Sequence, residues 1–385
     1  MAKWKKVKVG DVGKVITGKT PKTSNSEYYG GDIPFLTPSD DMSVKYVRGT
    51  NKYITEIGRL SVKNATLPAN AICVSCIGSD LGKVVITTQE TVTNQQINSI
   101  IVDTEKFDVD FVYYSMLELG KILNFHSKTS TAVPIVNKSS FSQYEIDCPE
   151  LSVQKKIGDI LSSIDKKIEE NNKINNNLEQ QAQAIYQQMF VENTSSDWKE
   201  GSLIDIADIT MGQSPSGSSY NEDGVGTIFF QGRAEFGFRF PSIRLFTTEP
   251  KRMARANDTL MSVRAPVGDL NVAHTDCCIG RGLAAIHSKT NHQSFVHYTM
   301  ASLRKQLDIF NGEGTVFGSI NRNALNEMPI IIPSNKKLDE FENLVSPMDE
   351  IIRNNYDEIC RLEVIRDSLL PKLMSGELDV SNIDL

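Results

Sequence analysis

Two stretches of the chain place their apolar residues at alternating intervals of four and three positions, which is the spacing of a coiled-coil seam. The pattern predicts two long helices that pair with each other in an antiparallel arrangement. The first seam consists of Ile157, Leu161, Ile164, Ile168, Asn171, Asn175, Leu178, Ala182, Ile185 and Met189. The second seam consists of Phe341, Val345, Met348, Ile352, Asn355, Ile359, Leu362, Arg366, Leu369 and Leu373.

Polar and helix-breaking residues refine this prediction. Asn171 and Asn355 hold equivalent seam positions, where a buried Asn either fixes the register of the pair or occupies a hydrated position. We expect Pro347 to start or kink the second helix, and Pro371 and Gly376 to end it.

The remainder of the chain has short apolar runs separated by Gly, Pro, Asn and Ser, which is typical of strands. Examples are "DIPFL", "NAICVSCIG", "KVVITT", "TIFFQG" and "DTLMSV". Helical patterns occur at 107–123 and again at 291–307. Strands mixed with a few helices indicate an α+β fold.

The chain is an internal repeat. A shift of 194 places Trp4 on Trp198, the only two Trp residues, and a later shift of 184 places Asn171 on Asn355. We therefore predict an α+β protein with two globular, strand-rich domains separated by a pair of long antiparallel coiled-coil helices. The predicted segments are a first domain at 1–150, a central helical spacer at 151–192, a second domain at 193–333 and a C-terminal helical spacer at 334–385.

A phosphate-loop motif occurs once, at 13–20, as "GKVITGKT". Pro21 disfavours the helix that such a loop requires, and the second copy reads "MGQSP", with Gln213 in place of Lys19. What the copies share is Gly-x-[Thr/Ser]-Pro, which is turn chemistry. A nucleotide-hydrolysing enzyme stays open as an alternative, and it predicts that Lys19→Ala abolishes turnover.

Charge is unevenly distributed. The net charge is −7, but 334–385 contains 12 acidic and 6 basic residues, so the two domains are close to neutral and could each carry a basic face. The six Cys lack a framework spacing, and Cys73-x-x-Cys76 lacks the second pair that a zinc site needs. With no apolar run of membrane-spanning length, we expect a cytoplasmic protein that does not associate with a membrane.

Two diverged domains held apart by a coiled coil suggest a molecular ruler. Forty helical residues extend for about 60 Å, and a turn of DNA measures about 34–36 Å. Such a protein could recognise two different sequences along one duplex. The alternative is a scaffold whose domains bind proteins or glycans, and it predicts no salt-dependent DNA binding.

The chain resembles the specificity subunit of type I restriction–modification enzymes over essentially its full length. The resemblance depends on Trp-Lys and Gly-x-[Thr/Ser]-Pro in both halves, on "SFSQYEIDCPELSVQKKIGDILSSIDKKIEENN" at 140–172 and, most specifically, on "RDSLLPKLMSGELDV" at 366–380. It implies two target-recognition domains that each recognise one half of a split, asymmetric site in double-stranded DNA. It also implies a non-catalytic chain that binds no cofactor itself. The expected partners are two modification subunits, which use S-adenosylmethionine to methylate adenine, and restriction subunits that translocate and cut DNA.

Candidate DNA contacts are polar residues on predicted loops, since Lys and Arg bind phosphates and Arg, Lys, Asn and Gln read base edges. Any one of them could instead be an ordinary solvated side chain, and Asn137, matched by Asn321, could mark a shared turn. The first domain contains 15 Lys and 2 Arg and the second 4 Lys and 9 Arg, so we expect the second to recognise the more G-rich half-site. We expect His292 and His297 to lie on the surface. The candidates are Lys19, Thr20, Lys22, Gln95, Gln96, Lys128, Asn137, Lys138, Gln213, Ser214, Gln231, Arg233, Arg264, Arg281 and Arg322.

Overall fold

The computed structural model describes residues 4–129, 135–312 and 318–383. Contacts divide the chain into two compact units, one formed by Met1–Glu170 with Glu358–Leu385 and the other by Asn171–Asp357. We call them unit 1 and unit 2. Each combines one strand-rich region with parts of both long helices. The two units do not coincide with the four linear segments expected from the sequence, and those domain boundaries remain a prediction.

Unit 1 contains two four-stranded sheets and a separate strand pair. One sheet is antiparallel, in the order β2-β9-β6-β7, and the other has the order β4-β3-β8-β5 with a parallel β3–β8 pair. The remaining pair is β1–β10. The strands are β1 (Lys5–Lys8), β2 (Gly13–Thr17), β3 (Tyr29–Leu36), β4 (Tyr53–Ile54), β5 (Thr66–Leu67), β6 (Ile72–Ser75), β7 (Val84–Ile86), β8 (Thr91–Thr93), β9 (Ile97–Val102) and β10 (Glu145–Cys148). The helices of this region are α1 (Val9–Val12), α2 (Glu56–Ser61), α3 (Val109–Thr129) and α4 (Lys138–Gln143).

The two faces of β6 explain how the core of unit 1 is built. Ile72 and Val74 belong to a core cluster that includes Phe111 of α3, whereas Cys73, between them, belongs to a second cluster with Leu36. Successive side chains of a strand point to opposite faces, so one apolar strand can supply both cores. The continuous apolar run "AICVSCIG" follows from burial on both faces.

The first long helix, α5, spans Leu151–Tyr186 and continues through a π-helical turn at Gln187–Glu192. Tyr186 and Phe190, at its end, are buried in the core of unit 2.

Unit 2 repeats the topology of unit 1, with one additional strand, β13, at the edge of its mixed sheet. Its antiparallel sheet has the order β12-β20-β17-β18, its mixed sheet has the order β13-β15-β14-β19-β16 with a parallel β14–β19 pair, and β11 pairs with β21. The strands are β11 (Lys199–Ser202), β12 (Ala207–Met211), β13 (Tyr220–Asn221), β14 (Thr227–Phe230), β15 (Leu245–Thr247), β16 (Met253–Ala254), β17 (Thr259–Ser262), β18 (Leu270–Val272), β19 (Cys277–Ile279), β20 (Leu283–Ser288) and β21 (Pro329–Ile332). The helices of this region are α6 (Leu203–Ile206), α7 (Gln293–Ser302), α8 (Arg304–Leu307) and α9 (Arg322–Asn326). The α+β prediction and the internal repeat are confirmed.

The second long helix, α10, spans Asn335–Met374. The expectation that Pro347 starts it is wrong, because the helix begins twelve positions earlier. Pro347 and Asn343 are both exposed, so water can satisfy the carbonyl that loses its helical hydrogen bond at the proline. The expectation that Pro371 ends the helix is wrong, because α10 continues through it to Met374. Gly376 follows two residues later, and its φ of 72° is the left-handed conformation usual after a helix terminus.

Within each unit the two helices run antiparallel. In unit 1, Arg366 donates to Asp165 at 3.1 Å. In unit 2, Asn355 donates to Asn175 at 2.8 Å, and Tyr186 packs on Phe341 with ring centroids 5.9 Å apart. All twenty predicted seam residues are buried or half-buried.

Candidate nucleic-acid interface

In unit 1 the Gly-x-Thr-Pro turn packs against the turn between β8 and β9. The Lys19 N–H donates to the Thr93 carbonyl at 2.8 Å, and the Thr20 hydroxyl donates to Gln95 Oε1 at 2.6 Å. Lys19 and Gln95 are exposed, and Thr20 is half-buried. Two segments separated by 75 positions thus present their polar groups side by side.

The glycine of this turn allows a close approach of two backbones. A Cβ on Gly18 would lie 2.0 Å from the Asn94 carbonyl oxygen, and a Cβ on Gly212 would lie 2.1 Å from the Gly280 carbonyl oxygen. Only a residue without a side chain fits these positions. The shared Gly is therefore structural, whereas the residue directly after it differs between the copies, Lys19 in the first and Gln213 in the second.

The segment before α4 extends the same edge of unit 1. The Cys76 N–H donates to the Gln96 carbonyl at 2.8 Å, and the Val136 N–H donates to the Cys76 carbonyl at 2.9 Å. Asn137 then caps α4 by accepting from the Ser140 N–H at 2.9 Å. The cap gives Asn137 a structural role.

This edge brings most of the first domain's candidates together. Lys22 is exposed beyond the turn, and the side chain of Lys128 lies outside the described residues. The residues gathered on the edge are Lys19, Thr20, Gln95, Gln96, Asn137 and Lys138.

Unit 2 builds the corresponding edge with different side chains. The Gln213 N–H donates to the Ile279 carbonyl at 3.0 Å, and the Arg281 N–H donates to Ser214 Oγ at 3.3 Å. Thr93 and Ile279 are equivalent, because they accept from the backbone N–H groups of Lys19 and Gln213. Gln95, two positions after Thr93, therefore corresponds to Arg281, two positions after Ile279. An arginine thus stands where the first copy has a neutral amide.

Arg264 lies beside Arg281 on this edge. It forms an isolated antiparallel β-bridge with Ser319, as Ile77 does with Ile135 in unit 1. A pocket of about 330 Å³ opens between the two arginines. It is lined by Met211, Val263, Arg264, Arg281, Gly318, Ser319 and Ile320. Asn321 caps α9 by accepting from the Ala324 N–H at 2.9 Å, which leaves Arg322 exposed at the first position of the helix.

Gln231 belongs to this edge, whereas Arg233 lies apart from it. A Cβ on Gly280 would lie 2.8 Å from the Gln231 carbonyl oxygen, and the Gln231 side chain is exposed. Arg233 forms an ion pair with Asp269, which Arg304 also contacts at 2.6 Å. Partial burial opposes the ionisation of Asp269, but hydrogen bonds from the two arginines outweigh it and hold the pKa of that carboxyl below its ordinary value. Arg233 is thereby engaged within unit 2.

The phosphate-loop interpretation fails on geometry. Gly13 and Lys14 lie within β2, and the first helical residues after Thr20 are a single 3₁₀ turn at Ser26–Tyr28. A phosphate loop needs a helix that begins at its Lys-Thr. Cys73 and Cys76 are buried, and burial raises the pKa of the Cys73 thiol to about 12. Across the described ranges, no group of His, Cys, Asp or Glu could hold a metal ion.

The expectation that His292 and His297 are surface residues is wrong. Their relative exposures are 9% and 6%. His292 Nε2 lies 2.9 Å from Asp339 Oδ1 on α10, and His297 Nε2 lies 2.8 Å from a guanidinium nitrogen of Arg239. These partners are remote in sequence, so the local pattern contained no signal for them.

The sequence analysis also missed a group of buried charged residues where each strand-rich region meets the long helices. Lys45 and Arg239 have side-chain exposures of 8% and 6%, and the shift of 194 places one on the other. That coincidence of two cations in the repeat was the available signal. In the described part of the chain, none of the helices has the length and apolar character required to span a membrane.

Comparisons with known proteins agree with the fold. The family model described as "Type I restriction modification DNA specificity domain" matches residues 1–180. The type I restriction enzyme MjaIX specificity subunit of Methanocaldococcus jannaschii is 27% identical over 99% of this chain and 94% of its own. The HindI specificity subunit of Haemophilus influenzae is 36% identical over 40% of this chain and 34% of its own. The crystal structure of a type I restriction–modification S subunit from M. genitalium has the same fold, with a TM-score of 0.66 at 16% identity and coverage of 99% and 97% of the two chains. The chain is therefore similar to type I restriction–modification specificity subunits, through the specificity-domain model over residues 1–180 and through a curated relative over nearly its full length.

Proposed function

We propose that each strand-rich region recognises one half of a split, asymmetric DNA site through the edge built around its Gly-x-[Thr/Ser]-Pro turn. The observation that carries the proposal is that the two edges have the same backbone arrangement but different side chains. Both edges depend on the same glycine contact and the same Asn helix cap, yet Gln95 corresponds to Arg281 and Ile77 to Arg264. A shared frame with exchanged side chains is what two readers of different sequences require.

The edge residues have the chemistry of DNA contacts. Lys19, Lys138 and Arg322 are exposed cations suited to phosphates, and Arg264 and Arg281 lie side by side around a shallow pocket, where a guanidinium can donate twice to guanine. These residues are loop or helix-start residues held by hydrogen-bonded turns. Their positions are fixed while their side chains reach solvent.

The long helices supply the rest of the proposed function. They set the distance between the half-sites and provide the surface on which two modification subunits dock. Those subunits bind S-adenosylmethionine and methylate adenine, so this chain needs no cofactor of its own. Restriction subunits would join the same assembly. The acidic balance of 334–385 supports a protein partner rather than DNA along this segment.

The test is a methylation map. The chain is co-expressed with the modification subunits of the same operon, and host DNA is sequenced by a method that detects N6-methyladenine. We expect a single split, asymmetric motif. Arg264→Ala and Arg281→Ala should relax one half of it, since each bidentate contact provides about 1–3 kcal/mol of discrimination, while Gln95→Ala should relax only the other half.

Arg255→Ala is the matched control. Arg255 is an exposed arginine of the same region, but it precedes β17, whereas Arg264 follows it, so it lies at the opposite end of that strand. It should leave the motif unchanged. A soluble complex that methylates nothing, or edge variants that keep the original motif in full, would contradict the proposal. DNA binding without salt dependence would favour the scaffold alternative.

A further inference from the structure

Each unit contains a buried polar cluster that joins its strand-rich region to the long helices, and the two clusters are copies of each other. A cation occupies equivalent positions at Lys45 and Arg239 under the shift of 194. Under the shift of 184, Tyr114 corresponds to Tyr298, and Asp165 corresponds to Asp349. We call each set of Lys or Arg, Tyr and Asp a clamp.

In the clamp of unit 2, the strand-rich region supplies Arg239 and Tyr298. Arg239 donates to Glu179 of α5 at 2.7 Å and also contacts Asp349 of α10. The Tyr298 hydroxyl lies 3.2 Å from the Glu179 carboxylate and 3.3 Å from that of Asp349. Ser294 of α7 donates to Asp349 at 2.7 Å. One buried guanidinium thus bridges both helices and holds them to the region that carries the recognition edge.

The clamp of unit 1 uses the same positions with a different pattern of hydrogen bonds and ion pairs. Lys45 Nζ lies 2.8 Å from Asp110 and donates to Ser162 of α5 at 2.7 Å. Tyr114 of α3 donates to Asp165 of α5 at 2.5 Å. Arg366 of α10, which donates to Asp165 at 3.1 Å, completes the connection to both helices. Both units have therefore retained a charged and hydrogen-bonded junction while changing its cation.

Apolar packing alone would not need this arrangement. A buried ion pair often contributes little net stability compared with apolar residues of the same size, because taking two charges out of water offsets their attraction. Hydrogen-bonded charges instead fix the position of the strand-rich region on the helices. A slip of one helical turn, about 5.4 Å, would leave these charges unpaired in the interior. The presence of such a junction in both units indicates that each strand-rich region must be held at a defined position on its helices.

We propose that Tyr114 with Asp165 and Lys45, and Tyr298 with Asp349 and Arg239, are positioning residues that fix each recognition region on its helices. They thereby set the number of base pairs that the complex accepts between the two half-sites. This inference rests on the proposed function. It adds to it the residues that determine tolerance to spacing, as distinct from those that read bases.

The experiment measures methylation of duplexes that differ only in spacer length. The full chain, assembled with its modification subunits, is given the native spacing or one that is longer or shorter by one or two base pairs. The quantity of interest is the ratio of single-turnover rates on native and altered spacings. We expect Tyr298→Phe and Tyr114→Phe each to lower this ratio by about tenfold, since a displacement of 1 Å can change a rate by about 100-fold.

Conservative and control variants separate positioning from stability. Arg239→Lys keeps the charge but cannot bridge both carboxylates, so it should also lower the ratio. Thr87→Val is the control for loss of a buried hydroxyl, because Thr87 donates to the Pro68 carbonyl at 2.7 Å, within the strand-rich region and away from the helices. It should lower the melting temperature and leave the ratio unchanged.

The outcomes are distinguishable. Variants that lose as much stability as Thr87→Val and still keep the native spacing ratio overturn the positioning role. Variants that accept altered spacings while methylating the same half-site bases support it. If the unaltered chain methylates no split duplex at all, the proposed function itself has failed and this inference fails with it.

Discussion

At the scale of single residues, the tertiary surroundings of a side chain determine its protonation state, which the residue type alone leaves open. His297 is enclosed between Arg239, whose guanidinium lies 2.8 Å from Nε2, and Thr259, whose hydroxyl lies 3.4 Å from Nδ1. Burial, and then the charge of Arg239, lower the pKa of this imidazole well below its ordinary value of 6.5. His297 is thus a neutral acceptor within unit 2 rather than a titrating surface group.

This burial predicts a dependence of stability on pH. Below pH 6.5 the unfolded chain binds a proton at His297 that the folded chain does not bind, so the free energy of unfolding falls as the pH falls. The contribution is fully present above pH 6.5 and is lost progressively as the pH falls below that value. Urea unfolding at pH 7.5 and 5.5 measures it. His297→Gln, which keeps a hydrogen-bonding amide, should lose this component, and an unchanged slope in that variant would contradict the assignment.

At the scale of elements, periodicity predicted where the long helices lie, but it did not predict every partner. The alternation of four and three located both seams because a helical face is a local property of the sequence. The partner of Asn355 depends on how the helices pair. In the structure Asn355 donates a hydrogen bond to Asn175, which is itself only 3% exposed. Helix α10 continues through Pro347 because the turn that loses a hydrogen bond there faces water.

The Asn355–Asn175 bond predicts non-additive substitutions. Asn355→Leu leaves the buried Asn175 amide without this partner, so it should lower the free energy of unfolding by about 1–3 kcal/mol. Adding Asn175→Leu should recover most of that loss, because two apolar residues can replace a hydrogen-bonded pair. A double-mutant cycle by urea unfolding measures the coupling. Equal and additive losses would show that the amides do not depend on each other.

At the scale of the whole molecule, the distribution of charge is more informative than its sum. The net charge of −7 would argue against a nucleic-acid partner, yet the acidic excess is concentrated in 334–385. The two recognition regions are nearly neutral, and they differ in the kind of cation, with 15 Lys and 2 Arg in the first and 4 Lys and 9 Arg in the second. Under the proposed function, Arg264 and Arg281 on the edge of unit 2 make that difference relevant to base recognition.

The arginine-rich region should recognise the more G-rich half-site, since arginine pairs with guanine through two hydrogen bonds. In the assembled complex, replacing the half-site assigned by the Arg281→Ala variant with A·T pairs alone should reduce methylation far more than the same change in the other half. Matched duplexes that alter one half at a time provide the measurement. Methylation of the A·T-only duplex at the native rate would overturn this expectation.

The sequence by itself determined the repeat, the two long helices, the α+β character and the turns that carry the candidate contacts. The helices, the α+β character and the turns follow from spacing and turn chemistry within a few neighbouring residues, and the repeat follows from matching the sequence to itself at shifts of 194 and 184. Only the tertiary structure decided that Arg281 stands beside the Ser214 turn, that Arg233 is engaged by Asp269, and that Lys45 and Arg239 are buried against the helices. Those facts depend on residues tens to more than a hundred positions apart, where burial makes a charge require a partner that local sequence does not specify.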